Sequence, residues 1–148
     1  MNITFSGLDG LDGSSHMNAK VNITNRAGAS FPVRRMNFDF DAVPEYWMNG
    51  SAGLTHFMTA LSALFPAGEK FFIDSVRAVR KHPAIAHNEA LQKEISAFIG
   101  QEAMHTHEHI GFNASAQKDG HDVDTLDHYT DKVIQTRRKF RAKLAKPV

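Results

Sequence analysis

Two long stretches of this chain place apolar side chains at alternating steps of four and three residues, and in each the repeat passes through ionisable groups. Met58, Ser62, Phe65, Glu69, Phe72, Val76 and Val79 form the first stripe; Leu91, Ile95, Phe98, Glu102, His105 and His109 form the second. This is the spacing of one helix face, so both stretches are predicted to be amphipathic helices with Glu69, Glu102 and His105 at inward positions. Pro66 either kinks the first helix or opens a new one, its missing N–H then falling in a first turn. His82-Pro83 ends that segment, because the residue before a proline is biased away from helical geometry. The second helix is predicted from Ala84 to about Gln117, with Lys118-Asp119-Gly120 as its stop. A last helix, about Val123 to Leu144, carries Leu126, Val133, Phe140 and Leu144 on one side. Its acids (Asp119, Asp122, Asp124, Asp127) come first and its bases (Arg137, Arg138, Lys139, Arg141, Lys143, Lys146) last, as the helix dipole favours.

Ahead of the helices, Phe31-Pro32-Val33-Arg34-Arg35-Met36-Asn37-Phe38-Asp39-Phe40 alternates aromatic and polar residues, which predicts an extended segment lying across the helical body. Residues 1–30, rich in Gly, Asn and Ser without a sustained period, are expected to be a flexible lead-in. Met17 within Ser14-Ser15-His16-Met17 is a possible alternative start. Strand signals are weak elsewhere. The predicted class is therefore all-α, with one helical domain over residues 31–148.

Composition narrows the chemistry. The chain has no cysteine, which removes thiolate catalysis, cysteine-based zinc sites, iron–sulfur clusters and disulfides. Nine histidines and 16 acids leave nitrogen and oxygen coordination of a metal as the kind of site this composition supports best. A formal charge of +1 gives no global drive toward nucleic acid, and no aromatic or Gly-rich motif accompanies the basic cluster of the last helix. No apolar run reaches the roughly 20 residues of a membrane span, and no continuous apolar signal core is present near the first residue, so a cytoplasmic location is expected. The sequons at Asn2 and Asn22 then carry no meaning.

Within this frame the run Gln101-Glu102-Ala103-Met104-His105 is the most informative. Burying an ionisable group without a partner costs several kcal/mol, so residues on an inward face are normally paired, hydrogen-bonded or bound to metal. Glu-x-x-His is also the spacing by which helices of carboxylate-bridged di-metal bundles present ligands to a shared interior. On its own the string is short, and many such strings are solvated pairs. His109 extends the same face by a turn and stays open between a ligand, a partner behind the ligands and a polar end to the stripe. His107 and Glu108 are expected to face solvent, Trp47 to anchor packing, Met48, Met58 and Met104 to fill the core, and His56 to sit in the core or behind the ligands. His82, His87, His121 and His128 are expected to be solvated.

Several strings together, Val33-Arg34-Arg35-Met36-Asn37-Phe38, Tyr46-Trp47, Ala60-Leu61-Ser62, Phe65-Pro66-Ala67-Gly68-Glu69-Lys70-Phe71-Phe72 and Phe98-Ile99-Gly100-Gln101-Glu102-Ala103-Met104-His105, resemble the bacterial family of predicted metal-dependent hydrolases, over about residues 31–130. The resemblance implies a ferritin-like helical bundle. It also implies that Glu69 is a terminal or bridging carboxylate, Glu102 a bridging carboxylate and His105 an imidazole ligand. Thr59 stands where the resemblance leads one to expect Asn, a change that would alter hydrogen bonding behind the ligands. Members of that family are roughly twice as long, and their later helices carry another Glu and another Glu-x-x-His. A complete di-metal set needs a Glu from two helices and a Glu-x-x-His from two others. The expectation is thus half a bundle: a truncated homologue, or a chain whose homodimer completes the set across a twofold axis.

The function expected from this reading is metal-dependent hydrolysis, with a divalent ion (iron, manganese or zinc) on Glu69, Glu102, His105 and His109. A di-iron oxidase or oxygenase is the close competitor, since carboxylate-rich sites suit iron and O2 equally well. The third reading is non-catalytic: a metal-binding or helical interaction module in which Glu102 and His105 pair with each other or with Arg34, Arg35 or Arg77.

Overall fold

A computed structural model describes residues 22–24 and 28–144. Its elements in chain order are strands β1 (Asn22–Thr24) and β2 (Val33–Arg35) and helices α1 (Ala52–Val79), α2 (Pro83–Ala86), α3 (Glu89–Lys118) and α4 (Val123–Leu144). The four helices pack together, with α1 against both α3 and α4. The only pairing of strands among the described residues is a three-residue antiparallel ladder in which Asn22 faces Arg35 and Thr24 faces Val33. The rest of the lead-in expected over residues 1–30, Met17 included, lies outside the described residues apart from 28–30. Ser30 is held by Glu94, whose carboxylate accepts from the Ser30 amide and hydroxyl at 2.6 and 2.8 Å.

Pro66 neither ends α1 nor starts another helix: it sits inside one 28-residue helix. A proline there cannot bond the carbonyl four residues back, which leaves the Ser62 carbonyl oxygen without its helical donor. The side chain of Asn113 on α3 fills that place, its Nδ2 donating to the Ser62 oxygen at 3.3 Å. The helix thus continues past proline because a neighbouring helix satisfies the orphaned group.

The second long helix starts later than its periodicity implies. Pro83 does begin a helix, but only the single turn of α2, and Asn88 then caps α3 by accepting from the Leu91 amide at 3.0 Å. A side-chain acceptor at the start of a helix outcompetes the apolar period in setting the boundary. At the other end Gly120 takes a left-handed φ of 91°, while the amides of Gly120 and His121 return to the Gln117 and Ala116 carbonyls. This is the stop expected at Lys118-Asp119-Gly120, and it turns the chain into α4.

Small side chains fill the centre: Ala63, Ala116 and Val123 are buried together, with Phe112 and Leu126 packed on them. The apolar side expected for α4 is covered only near its start, since Val133 and Phe140 are exposed. Of the segment over residues 31–40, predicted to be extended across the helices, Val33–Arg35 is strand and packs on α3, while Asn37 takes a left-handed φ of 51°. The docking of this segment explains one correction: Glu108, expected in solvent, is buried and accepts from the Asn37 and Phe38 amides at 2.9 and 3.0 Å. An extended strap away from a sheet has unpaired amides, and a carboxylate on the helix beneath supplies their acceptor. Phe40 lies so close to Gly111 that a Cβ added there would stand 2.9 Å from its ring.

Candidate metal centre

Glu69 reaches the α1–α3 interface as the polar member of an apolar stripe and is 1% exposed. Facing it on α3 are His105 and His109, one turn apart. One donor atom from each of Glu69, His105 and His109 lies within 4.8 Å of the others. The sequence expectation of convergence therefore holds for Glu69 and His105, and His109 joins them. Glu102 is outside this group. It is half-buried on the preceding turn, close enough for its charge to act on Glu69. His105 faces outward on one side, its side chain 49% exposed, so the cluster opens to solvent there.

Residues not expected as ligands hold these three in place. The Thr106 hydroxyl stands 2.6 Å from Glu69 Oε2 and fixes one carboxylate oxygen. Ser62 donates its hydroxyl hydrogen to Asn113 Oδ1 at 2.8 Å, and the same oxygen is 2.8 Å from His109 Nδ1. With its hydrogen committed, the serine can only accept, so His109 carries its proton on Nδ1 and presents Nε2 as a bare lone pair. That Nε2 is 3.1 Å from His105 Nε2 and 3.9 Å from Glu69 Oε1. Phe65 stacks flat on the His109 ring, centroids 4.4 Å apart, and blocks its rotation. The signal for Ser62 was present in its place on the stripe, but Asn113 and Thr106 could be found only from their contacts.

The remaining oxygen, Glu69 Oε1, is buried and has no aligned hydrogen-bond donor, although His105 Nδ1 approaches it to 2.6 Å. The two atoms touch, but not along a line a hydrogen bond can use. A buried carboxylate oxygen left this way is costly, and a cation shared with the two imidazoles is the partner its chemistry suits. Burial raises the Glu69 pKa above the usual carboxylate value and the Glu102 charge adds to the rise, while Thr106 and His105 oppose it. Burial lowers that of His109 to about 4, with His105 contributing, so this ring is neutral and free to coordinate at ordinary pH. The set of one carboxylate and two imidazoles fits a first-row divalent ion.

The description "predicted metal-dependent hydrolase" belongs to a protein family that matches residues 32–147. The chain belongs to this family. Comparison with curated proteins and with solved structures found no match. The family match spans all the helices that build the centre, from the strap over α3 to the end of α4. Within that stretch, Thr59, where Asn was expected, is buried and accepts from the Trp47 indole at 3.3 Å, a contact to the segment just before α1. His56 is exposed and pairs edge-on with His121 at 5.0 Å, away from the expected position behind the ligands. Arg35 donates to Asn37, and not to Glu102 or His105. Among the described residues no helix is long and apolar enough to cross a membrane.

Proposed function

We propose that this member of the metal-dependent hydrolase family binds a divalent ion through Glu69 Oε1, His105 and His109 Nε2, and uses it to hydrolyse a small substrate. The observation that carries the reading is the buried Oε1, which accepts no hydrogen bond yet touches His105 Nδ1 at 2.6 Å and lies within reach of both imidazoles. An ion held there would lower the pKa of a coordinated water toward ~7 and polarise the bond to be cut. The chain's own groups have distinct tasks. Ser62 keeps His109 in the tautomer that points Nε2 inward, and Thr106 turns the Glu69 carboxylate so that Oε1 faces the rings. Glu102, close by and outside the donor group, is the carboxylate left to accept a proton from the attacking water. The exposed side of His105 is where substrate would enter.

The closeness of Glu102 to Glu69 favours a second reading, a carboxylate-bridged pair of ions with oxidase or oxygenase chemistry. Three protein donors are fewer than such a pair takes, so we propose further that a second copy of the chain supplies the opposite half across a twofold axis.

The test is metal analysis of protein purified without added metal, with His105→Ala and His107→Ala beside the wild type. His105→Ala should lose metal by well over the 10–100-fold typical of residues behind the ligands, and His107→Ala should keep it. Equal content in the two variants overturns the metal reading. Consumption of O2 by protein loaded with ferrous iron separates the oxidative from the hydrolytic form, since one ion in each chain and a pair shared by two chains give the same metal content.

A further inference from the structure

Beside the histidines lies a cavity of about 150 Å³ whose walls are Val43, Trp47, Met58, Leu61, Phe65 and Phe112, with Ser62 and His109 completing it. Three elements meet there: the segment before α1, α1 itself and α3. Trp47 and Phe112 stand edge to face at 5.1 Å and make a rigid corner, and Phe65 is fixed by its stacking on His109. Leu61 is partly exposed, which leaves a way in from solvent.

The polar members turn their hydrogen-bonding groups away from the cavity, His109 directing Nε2 at His105, 3.1 Å away. The Ser62 hydroxyl gives its hydrogen to Asn113 and accepts from His109 Nδ1, and the Trp47 indole N–H is spent on Thr59. A ligand with hydroxyl or charged groups would lose its water there without replacement, at a cost of about 1–3 kcal/mol per group. An apolar ligand pays no such penalty. A cavity of about 150 Å³ with aliphatic and aromatic walls is known to accept benzene, which sets the size of the guest.

We infer that this cavity receives the apolar end of the substrate, a group the size of one aromatic ring, while the bond to be cut lies toward His105 and Glu69. The second half of this statement rests on the proposed metal centre; the first half does not. His109 is the link, since its ring both lines the cavity and belongs to the donor group. The substrate class is therefore a small molecule with one compact hydrophobic end, and not a sugar, a nucleotide or a charged peptide.

Trp47 is the only tryptophan of the chain, so its emission reports on this cavity alone. Metal-free protein titrated with toluene should show a saturable change in that emission, and trans-1,4-cyclohexanediol, of similar size but with two hydroxyls, should bind at least about tenfold more weakly. Val43→Phe and, separately, Leu61→Phe fill the space and should weaken toluene binding by about tenfold or more while circular dichroism stays that of the wild type. His107→Ala should leave toluene affinity within about twofold, because His107 is exposed and does not line the cavity. Absence of a saturable response in the wild type, diol binding as tight as toluene, or unchanged affinity in whichever of the two filled variants folds overturns the inference. Toluene binding retained in a protein that binds no metal would leave the cavity assigned and remove the metal centre, whereas metal binding without toluene binding would do the reverse.

Discussion

Glu69 and His109 illustrate how one interface shifts two groups in ways that both affect stability. His109 takes up a proton in the unfolded chain near pH 6.5 but resists it in the folded protein down to about pH 4. Between those values the unfolded state binds more protons, so the His109 contribution is whole above pH 6.5 and is lost as pH falls toward 4. Glu69 has the opposite sign: its raised pKa means that stability declines as pH rises from the unfolded carboxylate value through the folded one. The difference between the wild type and His109→Gln isolates the first effect. In metal-free protein, urea unfolding should show the wild type gaining on the variant as pH rises from 4 to 6.5, by at most about 3 kcal/mol. A difference that does not change with pH would mean that His109 is not held neutral by its burial. Ser62, Thr106 and Asn113 show why single residues mislead when read one at a time. Each has an ordinary helical side chain, and each matters only through a partner tens of residues away.

At the level of elements, the strap over α3 depends on two features of that helix. Glu108 accepts two strap amides, and Gly111 leaves room for the Phe40 ring. Glu108→Ala removes both acceptors and leaves the amides of Asn37 and Phe38 without their partner, which should destabilise the protein by about 2–4 kcal/mol in urea unfolding. Gly111→Ala gains helix propensity but forces the Phe40 ring to shift, and should be destabilising by about 1–3 kcal/mol even though alanine is the better helix former. If Gly111→Ala stabilised the protein instead, the strap would be too loosely seated to form the walls that Val43 and Trp47 give the cavity. Pro66 fits the same logic. It frees a carbonyl inside α1, and the amide that satisfies that carbonyl belongs to the side chain that also orients Ser62.

Across the whole molecule, the outer face of α1 is a continuous apolar stripe. Leu54, Phe57, Leu61, Leu64, Phe72 and Val79 recur at helical spacing and are all exposed, with open space over Gly68 between them. Monomers rarely keep so extended an apolar surface in water. The homodimer proposed above would bury it beside the open edge of the donor group. Light scattering should therefore give twice the chain mass, and Phe72→Asp should return it to that of one chain while also lowering metal content. A monomeric wild type with a cooperative melt above that of ordinary domains would refute the dimer and leave the three-donor site standing alone.

The sequence by itself determined the helical class, the family, a strap ahead of the helices, the stop at Gly120 and the inward placement of Glu69, whereas His105 lies half-exposed at the edge of the interface. Each follows from local period, local turn chemistry or a string of neighbouring residues. It did not determine where α3 begins, because Asn88 captures the Leu91 amide and a cap overrides a pattern. Nor could it choose among Glu102, His105 and His109, which share one stripe: the rotation of α3 against α1 puts the two imidazoles beside Glu69 Oε1 and leaves Glu102 to act on it through charge alone. Glu108 looked like a surface residue because the strap that buries it lies 70 positions away in the chain. Only packing decides such matters, since a period fixes which residues share a face but not which neighbour that face will meet.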